Sequence, residues 1–281
     1  MSSSGRNGRL EALIQLLGEE PSHFEIIRQR LVEIGPSALP ALEKCVREGP
    51  PLVSERADQV IESIRLELLD QEWQRYAEEE PCSLEEGVFL LARFAYPELN
   101  PQVYHAQLDQ MADLLRERIR SVSSPKEVIR TLNEYLFGEL HFSGNRENYY
   151  LPENSYINAV LETKQGIPIS LSVVMLLLGE RLNLPLYGIG MPGHFLVSWS
   201  DRDDEIFIDP FNEGRMQTRD EIESTLSENE RELLNQYLQK VSTRQILARM
   251  IRNLIHIYTE EGKTEKKSWL ERFHERVRND R

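Results

Sequence analysis

Apolar residues recur at helical spacing along the first half of the chain. Leu10, Leu13, Ile14 and Leu17 fall on one face, and Ile27, Leu31 and Ile34 on another. Gly35 and Pro36 stop the second helix and Ser37 is placed to cap the next, whose stripe is Leu39, Leu42, Cys45 and Val46. A longer helix is predicted from about Val53 to Glu78, and the acidic run Glu78-Glu79-Glu80 before Pro81 marks a domain boundary. Three further helices are predicted within 83–140. One carries Leu84, Val88, Leu91 and Phe94, the next runs from Tyr104 to Ile119, and the third carries Val128, Leu132, Tyr135 and Leu136.

The pattern changes at His141. Residues 141–156 are rich in Gly, Asn, Ser and Pro and read as an ordered loop ending in an Asn154/Ser155 helix cap. A helix from Tyr156 to Gly166 follows, then a strongly apolar helix after Pro168. Runs of β-branched and aromatic residues bounded by Gly, Pro and Asp predict strands at Leu186–Gly190, His194–Ser200 and Glu205–Asp209. Helices return from Thr218 to about Arg272. One of them is capped by Ser242, ends at Gly262 and has an apolar face of Ile246, Met250, Leu254 and Ile257. Helices followed by a helix packed on an antiparallel sheet make an α+β protein.

The last two strands must form a hairpin. A tight turn centred near residue 202 sets His194 opposite Asp209, with both side chains on one face and within reach of a carboxylate–imidazole hydrogen bond. Such a pair is the base and its orienter in nucleophilic catalysis; it is equally the form of a satisfied core histidine. A nucleophile would belong at the start of a helix, where free N–H groups and the dipole favour an anion. The helix after Pro168 offers Ser170 and Ser172 there, and a serine in a first helical turn also serves to satisfy backbone N–H groups.

Charge narrows the partners. Lys and Arg number 33 against 47 Asp and Glu, a net charge of −14, so nucleic acid and anionic membranes are expected to be repelled. From Val241 onward the balance reverses, with 10 basic residues against 6 acidic. The longest apolar run, Val173–Leu178, is too short to span a bilayer, and the polar N-terminus has no signal-peptide form, so a cytoplasmic protein is expected. The two cysteines, Cys45 and Cys82, make no disulfide framework. No two of the six histidines lie four apart and HExxH is absent, so neither a metal nor a cofactor is expected. Asp201, Asp203, Asp204 and Glu205 lack calcium-loop spacing and read as a solvated hairpin tip. Gly188-Ile-Gly190-Met-Pro-Gly193 matches GxGxxG in form only: it contains Pro192 and runs into a strand, so it reads as a bend near the site. Tyr149, Tyr150 and Tyr156 either line a groove or pack.

Asn-Ser-Tyr at 154–156, Gly-Ile-Pro-Ile-Ser-Leu at 166–171, Pro-Gly-His-Phe at 192–195 and Asp-Pro-Phe at 209–211, in that order, resemble the SirB1-type branch of the transglutaminase-like superfamily over about residues 83–240. The resemblance implies a papain-like core in which one helix carries a cysteine nucleophile and two strands carry His194 and Asp209. The cysteine position falls at or beside Pro168, while Cys45 lies in the helical region and Cys82 at the boundary. The expectation is therefore a non-catalytic or degenerate protein- or peptide-binding module, with Asn154, Tyr156, Pro168 and Gly193 at the binding site. The alternative is a serine-dependent amide or ester hydrolase or acyl-transferase using Ser170, His194 and Asp209. The stretch from Ile26 to Val46 resembles a HEAT-type repeat. The expected organisation is thus a HEAT-like region at 1–80, a transglutaminase-like core at 81–240 and a C-terminal helical segment at 241–281. The resemblance makes that last segment a truncated tetratricopeptide-like hairpin. Oligomeric state stays open.

Overall fold

The computed structural model describes residues 3–19, 21–201 and 205–278. The chain divides into two compact units at Gln74/Arg75. The first contains helices α1 (Ser3–Gln15), α2 (Pro21–Ile34) and α3 (Leu39–Glu48), and most of α4 (Pro51–Glu78). Their apolar stripes converge on Leu17, Leu31, Leu42, Ala57 and Val60, all completely buried. Arg56 closes the end of the first helical segment by donating to the carbonyls of Leu17 (2.8 Å) and Glu19 (2.6 Å). Ser37 does not cap α3. Gly35, with φ of 71°, and Pro36 form a 3₁₀ turn in which the Ser37 hydroxyl donates backward to Ile34 O at 3.2 Å.

The second unit opens with α5 (Leu84–Arg93), whose N-cap Ser83 accepts from Glu86 N, and α6 (Pro101–Ile119), capped by Asn100. Next come α7 (Pro125–Asn133), continued by a π-helical turn at Glu134–Glu139, and the two-residue strand β1 (Ser143–Gly144). Helix α8 (Ile157–Thr163) and β2 (Gln165–Gly166) follow, with β2 pairing parallel to β1. Here two local expectations are corrected. Residues Pro152–Ser155 form a 3₁₀ turn, so Tyr156, not Asn154 or Ser155, occupies the N-cap of α8. That helix ends before Gly166 because Lys164 turns left-handed, at φ of 62°.

Helix α9 (Pro168–Leu182) is buried from Pro168 through Gly179, which is why its sequence is apolar all round rather than striped. It packs on β3 (Leu186–Met191) and β4 (His194–Ser200) and is flanked by α6, α8 and α13 (Thr243–Glu260). The sheet continues through β5 (Glu205–Asp209) and β6 (Arg215–Gln217) in the antiparallel order β3-β4-β5-β6. Strand β6 was not foreseen, since three residues carry no readable alternation. The helices expected after Thr218 begin with three short ones, α10 (Arg219–Thr225), α11 (Glu228–Glu232) and α12 (Leu234–Tyr237). Helix α13 has its Ser242 cap and is followed by Gly262, at φ of 69°, and α14 (Thr264–Arg278), which packs against it as a hairpin.

Candidate active-site region

The Pro192-Gly193 turn joins β3 to β4, with Gly193 at φ of 62°, the left-handed conformation that glycine adopts without strain. Met191 pairs with His194, so the imidazole stands on the first residue of β4. From α13, Arg249 donates to Met191 O (2.8 Å) and His194 O (2.6 Å) and fixes both sides of the turn. Strands β4 and β5 pair Val197 with Ile208 and Ser200 with Glu205. The loop between them is thus longer than a tight turn, and its residues 202–204 lie outside the described residues. This shifts the pairing by two positions from the expected register, so Asp209 is the diagonal neighbour of His194 rather than its direct opposite. A shift of two keeps both side chains on one face, and His194 Nε2 lies 2.8 Å from Asp209 Oδ2.

Asp209 is buried, at 3% exposure, and ends β5 at the 3₁₀ turn Pro210–Asn212. Asn212 reaches back twice, its backbone N–H to Oδ1 (3.2 Å) and its Nδ2 to Oδ2 (2.7 Å). Burial works against the carboxylate charge, but the hydrogen bonds from His194 and Asn212 outweigh it and hold the acid below its ordinary value. An ionised carboxylate only accepts, so His194 donates through Nε2.

At the start of α9, Ile167 is the N-cap, Pro168 the first helical residue and Ser170 the third. The Ser170 hydroxyl accepts from Ile167 N (3.0 Å) and donates to Asn154 O (2.6 Å), with Ile167 O a second acceptor at 3.1 Å. It is completely buried, and among the described residues none of its hydrogen bonds runs to His194. Ser172 is equally buried, and its oxygen has no hydrogen-bond partner among the described residues. The Asn154 side chain clips the preceding loop: Nδ2 donates to Asn148 O (2.7 Å) and Tyr149 O (3.1 Å), and Oδ1 accepts from Asn145 (3.1 Å). Tyr156 is a core residue whose hydroxyl meets that of Tyr258 at 3.0 Å. Burial, followed by the charge of and the hydrogen bond to Tyr258, pushes its ionisation well up. The structure thus joins His194 to Asp209 and, separately, Ser170 to Asn154.

Other side chains surround His194, among them Phe211 of the Asp-Pro-Phe motif, Tyr149, and Arg146, which the sequence did not single out. The Phe211 ring meets the imidazole edge-on at a centroid distance of 6.2 Å. Arg146 stacks over that ring at 4.9 Å and also donates to Asn212 Oδ1, and Tyr149 packs on it at 6.0 Å. Gly144 is held to a bare backbone, because a Cβ there would stand 2.6 Å from the Phe211 ring. Asn212 also had a readable cue, lying three residues after Asp209, whose Asp-Pro step favours an Asx-type turn. Chemically, the pair is an imidazole hydrogen-bonded to a buried carboxylate. Among the described residues no three His, Cys, Asp or Glu side chains cluster to hold a metal. Within the same residues no helix is long and apolar enough to cross a membrane.

A central apolar helix beside an antiparallel sheet that aligns His194 with Asp209 defines the class, and the transglutaminase-like superfamily profile matches residues 102–252. The chain belongs to that superfamily. It is 35% identical to a UPF0162 protein of Xylella fastidiosa (strain 9a5c) over 187 residues, 64% of this chain and 66% of that protein. A UPF0162 protein of Vibrio cholerae is 32% identical over 176 residues, 60% of this chain and 63% of its own. Human F-box only protein 21 is 28% identical over 207 residues, which cover 63% of this chain and 32% of the human protein. The chain therefore spans just under two thirds of these UPF0162 proteins and about one third of the F-box protein. No solved structure matches.

Proposed function

We propose that this chain is a SirB1-type member of its superfamily that acts without catalysis, binding a protein or peptide partner at the surface around His194 and Asp209. The observation that carries this reading is the bonding of Ser170. Its hydroxyl is engaged by Asn154 O and Ile167 N in a fully buried position, and the resemblance sets the cysteine position at or beside Pro168, the first residue of α9. In this reading residues 1–80 are a HEAT-like flank and 81–240 the transglutaminase-like core. Residues 241–281 are a tetratricopeptide-like hairpin, and the protein works in the cytoplasm. The second reading, acyl transfer by Ser170 with His194 and Asp209, draws support from the intact base–orienter pair. It requires Ser170 to leave both of its backbone partners. Labelling with a serine-directed fluorophosphonate separates the two. Binding alone predicts equal, background labelling of wild type, Ser170→Ala and His194→Ala. Labelling that depends on both Ser170 and His194 would replace the binding reading with the catalytic one.

A further inference from the structure

Three arginines lie on the segments that frame His194. Arg146 lies on Phe211, and Arg249 and Arg252 stand one turn apart on α13, with His256 one turn further. Among the described residues, Arg146, Arg249 and Arg252 have no carboxylate within ion-pair distance, in a chain with 47 acidic side chains. The acidic neighbour in sequence, Glu147, pairs with none of them. Arg249 is half-buried, and burial first, then the Arg252 charge, lowers its proton affinity. It is therefore a partly desolvated cation without a counterion. The same surface exposes aromatic area. Tyr150 is 65% exposed and meets Tyr149 at 5.2 Å and His256 at 5.8 Å, and Leu151 beside it is 45% exposed.

Resting on the binding reading above, we infer that Arg146, Arg249 and Arg252, with Tyr149, Tyr150 and Phe211, receive an acidic segment of a partner protein. Guanidinium groups pair with carboxylates in planar, bidentate fashion, and exposed tyrosines supply contact area at low entropic cost. A carboxylate arriving here would supply the counterion that Arg249 lacks. The remaining surface is strongly acidic, so the segment would be repelled elsewhere and steered to this patch.

The test measures fluorescence anisotropy of the full chain with three pools of labelled, end-blocked decapeptides. One pool contains Asp, Glu, Tyr and Leu, the second Lys, Arg, Tyr and Leu, and the third Ser, Asn, Tyr and Leu. The acidic pool is expected to bind at least about 10-fold more tightly than the neutral one, and to weaken with salt. Arg146→Glu and Arg252→Glu, both at exposed positions, should each weaken it about 5-fold or more. Arg130→Glu, on the exposed side of α7, should leave it unchanged, with all three variants retaining the wild-type unfolding midpoint. Neutral or basic peptides binding as well as acidic ones, with a loss in His194→Ala, would overturn the acidic partner and leave the binding reading standing. Binding by no pool would count against both. A single-stranded decanucleotide that outcompetes the acidic pool at these arginines would assign the surface to nucleic acid instead.

Discussion

Three donors converge on the two oxygens of Asp209. Asp209→Asn would set an amide N–H against the His194 or Asn212 donors and is expected to cost about 1–3 kcal/mol by urea unfolding at pH 7. Because the folded carboxyl lies below its ordinary value, the unfolded chain binds that proton more readily. The contribution is therefore complete above the unfolded pKa, about 3.9, and is lost as pH falls through the lower folded value. The gap between wild type and Asp209→Asn should shrink in acid; a gap independent of pH would contradict the assignment. Gly166→Ala places a Cβ 2.7 Å from Ser170 Oγ and 3.1 Å from the Leu171 side chain. Since the Ser170 hydroxyl is held on both sides, it cannot yield, and a loss of about 1–3 kcal/mol is expected from the thermal midpoint. At this scale the His194–Asp209 contact was readable although its register was not. A longer loop moved the pairing by two, and only an odd slip would have put the two groups on opposite faces.

Helix α9 is the element on which the others are assembled. Leu177, completely buried in its middle, offers a direct measure of that packing. Leu177→Ala is expected to cost about 2–5 kcal/mol, in proportion to the cavity left. A loss below about 1 kcal/mol would mean that the helix is not the core of the second unit. The three strands β3, β4 and β5 were legible because runs of five to seven residues rich in β-branched and aromatic side chains are bounded by Gly, Pro and Asp. The pairing of β1 with β2 was not, since each contributes two residues and the partners are brought together by the intervening loop and helix α8. Nor was the π-helical turn after α7, which leaves no mark in an otherwise helical pattern.

Both cysteines are free. Burial raises the Cys45 thiol, to which Lys44 and Glu48 add opposing smaller effects, so it is a poorer nucleophile than an ordinary cysteine. Cys82 lies beside Tyr76, on the segment that precedes α5. Alkylating both should therefore leave peptide binding by the whole chain unchanged, measured before and after iodoacetamide; a loss of binding would tie a thiol to the function. By itself the sequence determined the apolar central helix, the three longer strands, the acidic balance, and the absence of cysteine near His194, because periodicity and composition are local properties. Only the tertiary structure decided that Asn154 holds a loop rather than a helix end, that Asn212 joins Asp209, and that Arg249 pins the His194 turn. Those depend on which backbone groups folding leaves in need of partners, and the residues that supply them lie up to 58 positions away along the chain.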